Sequence, residues 1–180
     1  MRDLPHRSVI QQILSQLQAQ TYLNGNVILY CIWFALSEQG RLRRPEFKKL
    51  QAALHPWHER VVMALQQLAD QVNSLRSGKQ WVNTEIEVAN QFEQQMLSQA
   101  LPVVKKARRI HNQQLQDAGH NLVTYFKTMR LSVTDELRAE TLKILRLFFQ
   151  DCSDAQITHA LDQAINAARI DDGFVQLSLV

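Results

Sequence analysis

Val9, Ile10, Ile13, Leu14 and Leu17 recur at intervals of three and four, the spacing of one face of an α-helix, which predicts a first helix over residues 8–22. Ser8 with Gln11 makes a capping box at its start. Residues 21–26 read as a turn, in which Asn24 or Asn26 can accept the free N–H groups of the next helix. The alternation then vanishes: Val27 to Leu36 is a run of ten apolar residues. A bilayer span needs about 20, so the run is too short to cross a membrane. A long buried strand is the remaining rival. Helical register continues through Glu38, and no second β-rich run exists to pair with it, so the pattern predicts a helix buried on nearly all sides, with Trp33 in the core and a stop near Gly40.

Pro45 suits the first turn of a short helix to Leu54, and Pro56 is expected to open another. That next helix carries Trp57, Val61, Val62, Leu65, Leu68, Val72 and Leu75 as an apolar stripe. Residues 77–80, SGKQ, read as a break. Thr84 with Glu87 then caps a helix displaying Ile86, Ala89, Phe92, Met96 and Leu97, which Pro102 ends. A polar-rich helical region follows over residues 103–130, with Gly119 as its candidate break. Ser132 with Asp135, and Ser153 with Gln156, cap the last two helices. After Gly173, FVQLSLV reads as a short β-like apolar tail with no partner strand. The expected architecture is therefore all-α, a single compact bundle of about seven helices over residues 1–172 with a tail over 173–180.

Composition supports this class. With 46% hydrophobic residues a sizeable core is available, and 5 Gly with 4 Pro suit long helices joined by short loops better than a turn-rich β fold. The 22 Gln residues are scattered, which implies polar but weakly charged helix faces rather than low complexity. A net charge of +3 permits an acidic partner without demanding nucleic acid. Cys31 and Cys152 both lie in apolar runs, the pattern of buried thiols in a reducing cytoplasm. The opening MRDLPHRSVIQQ has no apolar segment behind its charges and does not read as a secretory signal.

LNGNVILYCIWFAL, followed by ALHPWHERVVMALQQL, resembles a proteobacterial family of small helical proteins known as a domain of unknown function. The resemblance rests on Leu17 and Gln18 before a turn, Asn26 ahead of an apolar run that reaches Trp33, and Trp57 opening a helix with paired Val61 and Val62. It covers about residues 8–72. Where that family has aspartate–valine before the asparagine, this chain has Asn24 and Gly25. Where the family has arginines after the valines, it has Gln66, Gln67 and Ala69. The resemblance implies no activity, substrate or cofactor.

Little in the chain reads as catalytic chemistry. His55 and His58 stand three apart with a proline between, whereas zinc-binding helices place His at i and i+4 on one face. His6, His111, His120 and His159 are scattered, so no metal site is expected. Cys31 sits in the most buried-looking helix, where a thiol packs rather than attacks. No Gly-rich phosphate loop and no GxSxG elbow occur. No catalytic residue, cofactor or metal is expected, and an enzyme is not.

What remains is surface. Arg41, Arg43 and Arg44, with Lys48 and Lys49, form one basic patch; Lys105, Lys106, Arg108 and Arg109 form another. Phe47 is the single aromatic set among them, and no helix-turn-helix pattern accompanies them, which favours an acidic protein partner over nucleic acid. Trp81 is the candidate surface anchor, since tryptophan is enriched at interface hot spots. Phe174, Val175, Leu177 and Leu179 of the tail could add as a strand to a partner or fold back on their own domain. The expectation is a cytoplasmic, non-catalytic adaptor subunit of a larger bacterial assembly, one that couples or chaperones other proteins, for example in secretion. The rival is a nucleic-acid-binding regulator that uses the basic patches.

Overall fold

The computed structural model describes residues 7–72, 76–103 and 110–177, and every regular element among them is helical. These elements are α1 (Arg7–Thr21), α2 (Gly25–Leu36), α3 (Arg44–Trp57), α4 (Met63–Gln71), α5 (Arg76–Ala100), α6 (His111–Thr128), α7 (Asp135–Phe148) and α8 (Asp154–Leu177). A π-helical stretch, His58–Val62, joins α3 to α4 without a gap, so the described residues form seven continuous helical runs. The chain divides into two compact units. The first draws on Met1–Arg44 and Val104–Val180, and the second is Pro45–Val103. No helix among the described residues is long and apolar enough to cross a membrane.

In the first unit the apolar run becomes the core helix α2, buried from Gly25 through Ile32. Asn24 is its N-cap: the side-chain oxygen accepts from the N–H of Asn26 at 2.8 Å and of Val27 at 3.3 Å. The helix ends earlier than Gly40. Ser37 is the C-cap, and Glu38 takes the left-handed conformation at φ 62°. The N–H of Glu38 then donates to Ala35 O and that of Gln39 to Phe34 O, a Schellman closure built without glycine. Gly40 makes a second left-handed turn at φ 83°. Trp33 is only half-buried, tilted against Tyr30 with ring centroids 5.4 Å apart. Among the described residues of this unit the fully buried aromatics are instead Tyr125, Phe126 and Phe149.

Helix α1 packs on α2, α2 on α6, α6 on α8, α8 on α7, and α7 back on α1, so the five helices close a ring around a shared apolar interior. Helix α6 runs through Gly119 without breaking. A β-carbon there would stand 3.3 Å from the backbone oxygen of Ala160, so glycine serves the close approach of α6 to α8. The Tyr125 hydroxyl accepts the Asn24 N–H at 3.0 Å, fastening α6 to the start of α2. Thr134, not Ser132, caps α7 through the Leu137 N–H. The Ser153–Gln156 box forms as expected, with each partner bonding the other's backbone N–H. Helix α8 continues to Leu177, so Phe174 to Leu177 continue the helical backbone in place of a β-like tail. Residues 178–180 lie outside the described residues.

The second unit corrects three boundaries. Pro56 lies inside α3, and the backbone widens into the π-helical stretch two residues later. Proline supplies no N–H to the carbonyl four residues back, and a π-turn is one way for a helix to absorb that loss and run on. Residues 77–80 already belong to α5. Thr84 is therefore not a cap: its hydroxyl donates to Gln80 O at 3.0 Å, one turn back inside the helix. The buried stripe of α5 runs through Val82, Ala89, Glu93 and Leu97, which leaves Phe92 exposed. Phe92 stacks on Trp57 with centroids 4.9 Å apart, and the Trp57 indole N–H donates to Ala89 O at 3.2 Å.

Candidate functional site

Arg41 and Arg43 stand in the segment between α2 and α3, Arg44, Lys48 and Lys49 lie on α3, and α6 determines where Arg41 stands. Asn121 is fully buried at the centre of this arrangement. Its Nδ2 donates to the carbonyls of Cys31 at 3.2 Å and Gly40 at 3.1 Å, and its Oδ1 accepts from the Leu42 N–H at 2.7 Å. The backbone is thus tied down on both sides of Arg41. One turn earlier on α6, the buried carboxylate of Asp117 accepts from Arg41 Nε at 2.9 Å. The Arg41 side chain is otherwise 54% exposed. Gln114 Nε2 donates to Leu36 O at 3.1 Å and holds α6 to the end of α2.

Arg41, Arg43 and Arg44 line a cleft of about 730 Å³ in the first unit. Its floor is the polar face of α6, with Gln113, Gln116, His120, Thr124 and Lys127 among the lining residues. Its far wall is α8, where Ala164, Ala167 and Ala168 stand low. Lys127 donates to the Ala168 carbonyl, which places its ammonium at that wall. The described lining thus carries Arg41, Arg43, Arg44 and Lys127 together with Asp117, which accepts from the Arg41 guanidinium. Such a surface favours anions, and arginine forks hold carboxylate or phosphate oxygens pairwise.

The other candidates fall elsewhere. Trp81 lies on α5 in the second unit, 57% exposed, in a helix that already includes the SGKQ stretch read as a break just before it. Phe174, Val175 and Leu177 lie in the last turns of α8, while Leu179, and Lys105, Lys106, Arg108 and Arg109, lie outside the described residues. Sequence reading missed His120, Asp117 and Lys127. The signal available for them was the recurrence of polar residues at 113, 116, 117, 120, 124 and 127, one helical face that stays polar beside an apolar one.

Two histidine–carboxylate pairs lie away from the cleft. His58 Nδ1 lies 2.6 Å from Glu93 Oε1, and the Glu93 side chain is completely buried. His55 pairs with Glu59 on exposed helix surface. Burial holds the Cys31 thiol far above its usual range, and its sulfur faces Asn121 O at 3.8 Å. Burial also raises Cys152, with a smaller push from the Asp151 charge. Among the described residues, no three metal-ligating side chains gather in one place.

The family described as "Protein of unknown function (DUF2390)" matches residues 3–103, more than half of the chain. The chain belongs to this family. The DUF2390 stretch contains Arg41, Arg43 and Arg44 and the whole second unit, and it stops before α6. The α6 floor and α8 wall of the cleft thus lie outside the matched residues. No curated protein and no solved structure matches the chain.

Proposed function

We propose that this DUF2390 chain is a non-catalytic interaction module, an adaptor subunit of a larger assembly, whose working surface is the cationic cleft of the first unit. The observation that carries the proposal is the meeting of Arg41, Arg43 and Arg44 with Lys127, more than 80 residues later, over one polar face of α6. The partner it suits is an acidic protein surface. Nucleic acid is the competing partner, because it too is read by arginine and lysine. Yet no Phe, Tyr or Trp stands among the described residues that line the cleft, and single-stranded nucleic acid is held largely by stacking on such rings. The reduced thiols Cys31 and Cys152 suit work in the cytoplasm of a bacterial cell.

Titration with acidic peptides and with mixed-sequence RNA and DNA, over a salt series, separates the two. The adaptor function predicts peptide binding that Arg41→Glu with Arg43→Glu abolishes, and weaker nucleic-acid binding. A tighter nucleic-acid complex whose affinity falls steeply with salt would reverse the assignment.

A further inference from the structure

We infer that the second unit pairs with the same unit of another copy of this chain, α5 lying antiparallel on α5 along the stripe Trp81, Glu85, Val88, Phe92, Gln95 and Gln99. The pairing is a separate surface from the cationic cleft and does not rest on it.

The stripe follows the spacing of a coiled-coil seam, with steps of four and three alternating from 81 to 99. Its own fold leaves it uncovered. Trp81 is 57% exposed, Val88 53% and Phe92 50%. Gln95 and Gln99 are exposed too, and Glu85 is half-buried. The residues that α5 buries, Val82, Ala89, Glu93 and Leu97, belong to another face, and α4, packed beside α5, has no buried residue.

Register and charge select a second copy as the occupant. One side of the stripe is flanked by buried Val82 and Ala89, the other by exposed Thr84, Gln91 and Ser98, none of them charged. Charges flanking a seam are what choose a foreign helix, and these flanks offer none. With the two helices antiparallel about an axis at Asn90, Val88 meets Phe92 of the second copy, Glu85 meets Gln95, and Trp81 meets Gln99. Each polar group then finds its complement: the Glu85 carboxylate accepts from an amide N–H, and the Trp81 indole donates to an amide oxygen. Sliding the pair by one layer parts Val88 from Phe92 and sets it against the Glu85 carboxylate or the Gln99 amide, an apolar group against a polar one. Over residues 45–103 six acidic side chains stand against five basic ones, so two such units do not repel.

The area suits a weak association. The stripe is about 27 Å long at 1.5 Å per residue. An aromatic side chain presents about 150–250 Å², so Trp81 and Phe92 at their exposures offer roughly 200 Å² per copy. Val88, the polar seam residues and the Thr84 row bring the pair to about 1,200 Å² in total, the lower bound of specific interfaces. Phe92 is already placed by its stack on Trp57, so pairing spends little on ordering it.

The test is sedimentation equilibrium of the full chain from about 5 to about 500 µM, a window that brackets a micromolar dissociation constant. The expected result is a monomer–dimer equilibrium within it. Val88→Lys, at an exposed position, should leave a monomer with the parent's circular dichroism. Gln95→Glu, which sets carboxylate against carboxylate twice per dimer, should weaken association about fivefold, and Gln95→Lys should tighten it by a similar factor. Adding Glu85→Lys to Gln95→Glu should restore it. Positions 85 and 95 are about 15 Å apart on their own helix, so that rescue acts between copies. A dimer indifferent to Val88→Lys would place the contact elsewhere, and a dimer without the charge rescue would discard the antiparallel register; either overturns the pairing. A chain monomeric throughout overturns it as well. Its co-sedimentation with phosphatidylcholine–phosphatidylglycerol vesicles would then give the stripe to a membrane surface, and binding of an amphipathic Leu/Lys helical peptide would give it to a foreign helix.

Discussion

Asn121 carries more of the first unit than any apolar residue of its size could. It is completely buried and satisfies two carbonyls and one N–H that belong to a different stretch of chain. Each buried polar group left without its partner costs about 1–3 kcal/mol. Asn121→Ala is therefore expected to lose about 3 kcal/mol or more in urea unfolding, and to weaken acidic-peptide binding even where the protein stays folded. A variant that unfolds with the parent would remove Asn121 from the centre of the cleft. Asn121 was invisible as a special residue in the sequence, because its partners Cys31, Gly40 and Leu42 are about 80–90 positions away. Trp33 shows the opposite error. Its place in a run of ten apolar residues suggested a core side chain, but one face of α2 reaches the surface there, and Trp33 is half-buried. Trp33→Ala should consequently cost less than the ~3–5 kcal/mol typical of a fully buried aromatic.

At the scale of elements, three helices close on residues other than glycine in the left-handed region: Tyr22 at φ 58°, Glu38 at φ 62° and Arg130 at φ 59°. Arg130 ends α6 with the same paired bonds as Glu38, its N–H to Lys127 O and the Leu131 N–H to Phe126 O. An L residue in that conformation carries a penalty of roughly 1–2 kcal/mol, partly offset by the greater freedom glycine has when unfolded. Arg130→Gly is expected to gain a few tenths to about 1 kcal/mol, read as a higher melting temperature. No gain would mean that the arginine side chain makes up the difference. The α7–α8 contact has a pH signature. Arg138 grips Asp162 with two bonds, Nε to Oδ1 at 2.8 Å and Nη2 to Oδ2 at 2.9 Å. The hydrogen bond from Arg138 holds the Asp162 carboxyl below its ordinary value. A depressed carboxyl stabilises above the unfolded value near ~3.9 and stops doing so as pH falls through its folded value. Both side chains are a third or more exposed, so the pair contributes only about 0.5–1 kcal/mol. Arg138→Met should melt slightly below the parent at neutral pH, and the gap should close in strong acid.

For the whole molecule, net charge conceals the feature that matters. Twenty basic and 17 acidic residues leave +3, which says little. The cleft instead gathers Arg41, Arg43, Arg44 and Lys127 along its described lining within the first unit. A field of that kind acts mainly on the rate of encounter and is screened over about 10 Å at 0.1 M salt. The association rate for an acidic peptide should fall about tenfold between low and high salt, with the melting temperature of the chain nearly unchanged. A rate indifferent to salt would mean that the cleft does not steer its partner.

The helical class and most of the helices were legible in the sequence alone. Apolar spacing, the Asn24 cap, the Ser153–Gln156 box and the stop at Pro102 act over a few residues, and local chemistry suffices for them. Where that reading slipped, the simple pattern had been overridden by an irregular turn or by a distant partner. Pro56 did not break its helix because a π-turn could absorb the missing donor. Glu93 rather than Phe92 turned inward because His58 meets its carboxylate there. The candidate site shows the same division. Arg41, Arg43 and Arg44 could be picked out as a basic run by sequence, but a run of cations on one loop is only charge. It became a cleft when α6 supplied Asp117, Asn121 and Lys127 and α8 supplied a low alanine wall. Those groups come from parts of the chain whose proximity is decided by packing between helices, an energy that no local pattern records.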